Sequence, residues 1–203
     1  MLITKIESGK NKRYRVFGDD TYLFALYRNE LKHYQIEENA MIEDSVISSI
    51  LDEIIYKRAK ERALYLLEKR PLTVSGLRDK LRYHDYPEAV VEKVIAFLEQ
   101  YHYLDDMDYV RMYTGSYSSK KSKKQIVYDL MRKGISKSLI DIYFEENEYS
   151  EQEGFEKQFE RYVRGKDLGN LAIRQKVFRY FYGKGFTVSM IETALRSRME
   201  LED

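Results

Sequence analysis

The sequence predicts a mainly α-helical fold: tandem three-helix repeats, about nine helices in an elongated, solenoid-like array, preceded by a small N-terminal β meander. Three observations carry this. Apolar positions recur about 50 residues apart, which is the mark of a helical repeat. Two prolines and ten glycines among 203 residues leave little punctuation, which favours helices with short joints. The first 40 or so residues alone are rich in β-favouring side chains with turn signals between them.

The leader, 1–43, contains ITKIE, RYRVF and TYLFALY, separated by SGKNK and GDD. Polar residues follow, and then Val46, Ile50, Ile54, Ala59, Ala63, Leu66 and Leu67 fall at three- and four-residue steps. A long helix from near Asp44 to Glu68 is expected, stopped at Arg70-Pro71 because the residue before proline avoids αR and proline lacks an amide donor. Beyond it, helix starts share one chemistry: an apolar residue, a cap, and an apolar residue at N4 that closes a hydrophobic staple. Leu72, Thr73 and Leu77 form one such set, Leu104, Asp105 and Tyr109 another. Ile135, Ser136 and Ile140, then Phe186, Thr187 and Ile191, repeat it.

The repeat register follows. Leu77, Leu81, Tyr86, Val90 and Val91 match Ile126, Leu130, Ile135, Leu139 and Ile140, and again Val177, Phe181, Phe186, Met190 and Ile191. Asp85, Gly134 and Gly185 occupy the joint of each copy. The stretch MRKGISKSLI is therefore a helix–helix joint with Gly134 at C′ in left-handed geometry and Ser136 as the next N-cap, and lacks the spacing of a phosphate loop. Helices are expected from about 44, 74 and 88, then 106, 121 and 137, then 151, 170 and 188. The repeats are placed at 44–101, 102–148 and 149–203.

Composition limits the function classes. Thirty-five Lys plus Arg face 34 Asp plus Glu, so net charge points to neither a polyanion nor a polycation as partner, and electrostatic recognition must come from local clusters. There is no Cys, hence no disulfide and no thiolate metal site. The N-terminal stretch has no apolar signal-peptide core and no apolar run reaches a membrane span, which predicts a cytoplasmic protein without membrane contact.

Ordered stretches of this chain carry a family resemblance. ALYLLEKRPLTVSGLRDKLR, YLDDMDYV, KKQIVYDLMRKGIS and IRQKVFRYFYGKGFTVSMI resemble, in that order and spacing, the RecX family of recombinase regulators. The resemblance spans roughly residues 58–191, and the strand-rich leader is similar to that of Firmicutes-type members. The chain departs from the family pattern at Leu72, often basic, at Gly76, where a capping-box acid is usual, and at His102, where Gly usually precedes Tyr-Leu-Asp-Asp. It also has SSKKSKK where Lys-Gly-Arg is common. The resemblance implies a regulator without catalysis that binds the RecA recombinase filament on single-stranded DNA and suppresses its ATPase and strand exchange in DNA repair, recombination and the SOS response. The implied partner is that filament, with weak contact to single-stranded DNA, and the implied state is a monomer without cofactor.

Basic clusters are the interaction candidates. Lys120, Lys121, Lys123 and Lys124 crowd a helix start, where the macrodipole disfavours positive charge, so helix stability does not explain them. Arg70, Arg78, Lys80 and Arg82 surround the second helix. Arg132, Lys133 and Lys184 sit beside the joints, where cations at helix C-termini are stabilising in any case. A solvated charged surface is the alternative for all of them. Acidic residues segregate at Glu145–Glu153 and at Glu200, Glu202 and Asp203, which suits a partner surface of matching charge.

Enzyme signatures are weak. Asp105, Asp106 and Asp108 read as a cap and first helical turn before they read as a Mg²⁺ site. His33, His84 and His102 lack metal-ligand spacing. The 19 tyrosines and nine phenylalanines fall mostly on repeat-core positions, such as Tyr86, Tyr143, Phe144, Phe181 and Phe186, which argues for packing over base stacking. The alternative function is a direct single-stranded nucleic-acid-binding module, and a third reading is a helical adaptor for an unrelated partner.

Overall fold

The computed structural model describes residues 1–200; Glu202 and Asp203 of the acidic terminus lie outside the described residues. The chain divides into two compact units, Met1–Asp105 and the residues from Asp106 onward.

The first unit opens with a three-stranded antiparallel sheet in the order β1 (Ile3–Ser8), β2 (Arg13–Gly18) and β3 (Thr21–Tyr27). Both connections use left-handed backbone at turn-forming residues. Asn11 and Lys12 have φ of 55° and 61° between β1 and β2, and Asp19 and Asp20 have 46° and 62° between β2 and β3. Two positive-φ residues in a two-residue loop match the right-handed twist of the strands they join, which is why GDD makes a hairpin. A short helix, α1 (Arg28–His33), follows directly and was not expected from the sequence. It contributes one buried residue, Leu31, too few for a periodic signal, and is started by Glu30, whose carboxylate accepts the Tyr27 amide at 2.7 Å.

The long helical run 44–69 comprises α2 (Asp44–Ser49), a π turn (Ile50–Ile55) and α3 (Tyr56–Lys69), with right-handed backbone maintained across both joins. It ends where expected, Arg70 being extended at φ −166° and ψ 150° before Pro71. Then come α4 (Val74–Tyr83) and α5 (Glu88–Gln100). Thr73 caps α4 through its hydroxyl, which accepts the Gly76 amide at 3.0 Å. One apolar core serves sheet and helices together, with Ile3, Val16, Phe24 and Leu26 packed with Ile50, Ile55, Ala59, Ala63, Leu77, Leu81 and Leu98.

The second unit holds α6 (Asp106–Tyr117), α7 (Lys123–Arg132), α8 (Lys137–Glu146), α9 (Gln152–Val163), α10 (Leu171–Gly183) and α11 (Val188–Glu200). Ser136 accepts the Leu139 amide and Thr187 the Met190 amide, each at 3.3 Å, as N-caps do. Helices α6 to α8 enclose a small core of Val110, Ile126, Leu130, Ile135 and Ile140. Helices α9 to α11 enclose a separate, aromatic one in which Phe155, Phe159, Phe181 and Phe186 meet at centroid distances of 5.0–6.0 Å. The two sets meet where the 118–122 loop lies on α9: a Cβ on the buried Gly154 would stand 2.7 Å from the Ser118 carbonyl oxygen. Counting 44–69 as one, ten helices stand among the described residues, nine at the expected places and α1 besides.

The repeat register is visible as one backbone motif. Asp85, Gly134 and Gly185 all have positive φ, of 56°, 85° and 85°. The amide that follows each reaches back to a carbonyl five residues earlier: Tyr86 to Leu81, Ile135 to Leu130 and Phe186 to Phe181, at 3.2–3.3 Å. This closes the helix end in Schellman fashion and points the next apolar side chain into the core.

Candidate functional site

The basic residues separate into those spent on the fold and those left on the surface. Arg78 grips Glu92 with two hydrogen bonds of 2.6 and 3.0 Å, and Arg82 makes a like fork with Glu88, so both tie α4 to α5. The hydrogen bond to Glu92 raises the Arg78 pKa, and each carboxylate is lowered by its arginine. Arg70 is exposed after the end of α3, and Lys80 is half-buried.

Lys121 does not belong to the exposed run in which the sequence placed it. Its ammonium donates to Asp129 at 2.6 Å and to the Tyr113 hydroxyl at 2.9 Å, and that hydroxyl donates to Asp129 at 3.0 Å. Burial alone would lower the Lys121 pKa, but the bonds to Asp129 and Tyr113 outweigh it and raise it; burial likewise opposes, and the same bonds achieve, the lowering of Asp129. The triangle holds the start of α7 to α6.

Lys120, Lys123 and Lys124 are exposed. The macrodipole problem at this helix start is met within the chain, since Glu151 accepts the Lys123 amide at 2.5 Å. Ser122, wholly buried, caps α7 by accepting the Gln125 amide at 3.2 Å and donates to the Lys184 carbonyl at 2.6 Å. The stretch Ser122-Lys123-Lys124-Gln125 is a capping-box pattern, a signal that reading the segment as a charge run had hidden. The helix therefore starts at Lys123, two residues beyond the expected start near 121.

Around that start a surface groove of about 300 Å³ is lined by Lys124, Tyr128, Tyr182 and Lys184. Arg132 lies over the Tyr128 ring, 5.8 Å from its centroid. Lys184 donates to Gln158 at 3.2 Å and sits 4.7 Å over the Tyr180 ring, so its charge is fixed in place. Lys133 faces Tyr109 and Tyr113. Tyr128 and Tyr182 are 61% and 59% exposed. They were missed because apolar periodicity treats all rings alike. The assignment of aromatics to the core holds for phenylalanine, none of which is exposed, but among tyrosines only Tyr86, Tyr113 and Tyr143 are buried. A phenol keeps a hydrogen-bonding end that favours the surface.

The acidic block also divides. Glu145, Glu146 and Glu148 are exposed at the end of α8, whereas Glu151 is engaged at α7. Asp106 and Asp108 occupy the first turn of α6, where negative charge is favourable.

Two family models match this chain: the first three-helix domain of RecX over residues 59–98 and the second three-helix domain of RecX over 105–142. Regulatory protein RecX of Clostridium acetobutylicum is 32% identical, the alignment covering 96% of this chain and 94% of that one. The chain belongs to the RecX family. Regulatory protein RecX of Clostridium beijerinckii is 27% identical over 98% of this chain and 97% of its own. A crystal structure of regulatory protein RecX superposes with a TM-score of 0.63 at 26% identity, covering 95% of this chain and 98% of that one. RecX from Lactobacillus salivarius gives the same TM-score at 21% identity over 70% of this chain and 96% of its own, and so supports the fold. These relatives are named as regulators, and the regulatory role extends to this chain with the family. No helix among the described residues is long and apolar enough to cross a membrane.

Proposed function

We propose that this RecX-family chain binds the RecA recombinase filament on single-stranded DNA and lowers its ATPase and strand-exchange activity, without catalysis of its own, in the cytoplasm. The reading is carried by family membership along nearly the whole chain, together with the likeness of its ordered motifs to regulators of that recombinase. The surface assigned to the partner is the exposed basic and tyrosine-bearing face of the second unit: Lys120, Lys123, Lys124, Arg132, Tyr128 and Tyr182. Charge there is not consumed by the fold, unlike that of Arg78, Arg82 and Lys121, and so is available to acidic groups on a filament.

The test is a triple reversal, Lys120→Glu, Lys123→Glu and Lys124→Glu, with Lys121 left in place because its ion pair holds α7. Circular dichroism and melting should show a folded protein, since these side chains are exposed. Inhibition of the DNA-dependent ATPase should weaken about tenfold or more as attraction turns to repulsion. Wild-type potency would move the interface elsewhere, and an ATPase untouched by saturating wild-type protein would sink the reading itself.

The exposed tyrosines beside Lys124 and Lys184 favour one second reading, direct gripping of single strands by stacking and phosphate contacts. Tight binding to bare single-stranded DNA with a steep salt dependence would support it over the first.

A further inference from the structure

The first unit contains a second cationic feature that the filament-binding reading does not use. A pocket of about 430 Å³ is lined by Arg13 from β2, Tyr27 from β3, Arg58 and Arg62 from α3, and His84 and Tyr86 from the α4–α5 joint. Two segments distant in sequence, β2 and α3, thus bring three guanidinium groups together. Arg58 and Arg62 lie one helical turn apart, which puts them on one face of α3.

The arginines are positioned but incompletely neutralised. Arg13 is only 3% exposed and donates to the His84 carbonyl, yet its Nε is shut off from solvent with no acceptor. No carboxylate pairs with Arg13 or Arg62 among the described residues. Arg58 pairs through Nη2 with Glu30, while its Nη1 is buried without a partner. The guanidiniums of Arg13 and Arg58 are stacked over Tyr86 and Tyr27, at 5.3 and 4.8 Å from the ring centroids, so little side-chain freedom remains to be lost on binding. Glu61 on the wall and Glu30 at its edge leave a positive surplus against three arginines.

His84 reports the same field. Arg62 Nη2 lies 3.1 Å from its Nε2, which accepts because arginine can only donate, and the Asn11 side-chain amide nitrogen lies 3.1 Å from its Nδ1. Burial first, then the charges of Arg62, Arg13 and Lys10, lower the His84 pKa, with Asp85 opposing. Positive charge on the imidazole is thus disfavoured in a site already rich in guanidinium groups. Burying charge of one sign without its counterion is costly, and a bound anion would offset that cost.

We propose that this pocket binds the phosphate group of a phosphate ester, with Arg13, Arg58 and Arg62 around it and Tyr27 and Tyr86 walling the organic part. Three planar forks offer more donors than the two oxygens of a carboxylate can accept, whereas a tetrahedral phosphate presents an oxygen to each. The volume exceeds what a lone phosphate needs and falls in the range of small-ligand sites, roughly 300–1,000 Å³.

The experiment titrates inorganic phosphate into the full chain labelled with ¹⁵N-arginine, at ionic strength held constant with chloride, and follows the Nε–H resonances. Saturable shifts confined to a few arginines, together with a rise in melting temperature, are expected. Arg62→Gln should weaken binding about tenfold or more and leave the fold intact, because that guanidinium meets only side chains, the His84 ring and the half-exposed Tyr65 ring, and no carboxylate; Arg13→Gln is the less secure variant since Arg13 also holds the His84 carbonyl. Deoxyadenosine monophosphate and a short single-stranded oligodeoxynucleotide without terminal phosphate are then added as competitors. Displacement by the mononucleotide alone assigns a free nucleotide, and displacement by the oligonucleotide assigns a DNA backbone; displacement by neither overturns the assignment to an ester. A response that chloride reproduces, or unchanged affinity in Arg62→Gln, overturns the site. No recombinase is present, so the result stands apart from the filament-binding reading.

Discussion

The joint at Asp85 in the first unit and the joint at Gly185 in the second share one backbone and hold it in opposite ways. Both residues are left-handed, and both are followed by an amide bonded to a carbonyl five residues back. In the first unit the sheet reaches over with side chains: Lys10 Nζ donates to the Tyr83 carbonyl at 2.7 Å, Arg13 to that of His84, and the Tyr22 hydroxyl to that of Asp85. Asp85 itself accepts the Lys10 amide at 3.4 Å and faces Arg15 at 3.8 Å. In the second unit the start of α7 comes in directly. Ser122 donates to the Lys184 carbonyl, and a Cβ at Gly185 would lie 2.9 Å from the Ser122 hydroxyl and 3.0 Å from the Lys124 Cβ. A joint clasped by side chains tolerates a residue with a Cβ and rewards it with contacts. One clasped by close approach needs glycine both for its φ and for its space.

The largest effect that tests this comparison is on the cores beneath the joints. Leu81, Leu130 and Phe181 supply the carbonyl that closes each joint and are wholly buried. Replacing any one by Ala should cost about 2 to 5 kcal/mol in urea denaturation, with Phe181→Ala at the upper end because its ring meets Phe155, Phe159, Phe186 and Tyr162. A loss below about 1 kcal/mol at any of the three would break the equivalence of the repeats.

Exchanging the joint residues sharpens it next. Gly185→Asp should destabilise by about 2 to 4 kcal/mol, adding left-handed strain to overpacking against Ser122 and Lys124. Asp85→Gly should change stability by less than about 1 kcal/mol, because relief of the same strain is offset by loss of the contacts to Lys10 and Arg15 and by a looser unfolded chain. Equal costs for the two substitutions would mean that the mode of clasping does not matter.

What the sequence showed was local. Caps at Thr73, Ser136 and Thr187, the stop at Pro71, the turns at Asn11 and Asp19 and the spacing of repeat-core residues each depend on neighbours within a few positions, and each stands where expected. What it hid was non-local or too short to be periodic. Lys121 looked like one more exposed lysine because Asp129 and Tyr113 flank it eight residues away on either side, on different helices. Arg78 and Arg82 likewise find their acids on α5. The phosphate-site candidates had one local trace, the spacing of Arg58 and Arg62 on α3; Arg13 and His84 join them only through folding of the sheet against the α4–α5 joint.

The same left-handed geometry recurs at Gln35 after α1 and at His102 after α5, and the second gives the smallest and most pointed test. His102 has φ of 56°, and the Tyr103 amide reaches back to the Leu98 carbonyl at 2.8 Å, as at the three repeat joints. Here neither kind of clasp is present among the described residues: the imidazole is exposed and has no hydrogen-bond or ring partner. The residue therefore bears the strain of a Cβ in left-handed geometry without the contacts that reward Asp85. His102→Gly, restoring the residue that RecX-like motifs carry before Tyr-Leu-Asp-Asp, should stabilise the chain by about 0.5 to 1 kcal/mol, the relief of strain exceeding the entropy that glycine adds to the unfolded state. The gain should appear as a higher urea midpoint with an unchanged m value, since the surface exposed on unfolding is the same. A loss of stability would show that the imidazole is engaged, and would place this joint with Asp85 on the side-chain-clasped side of the comparison.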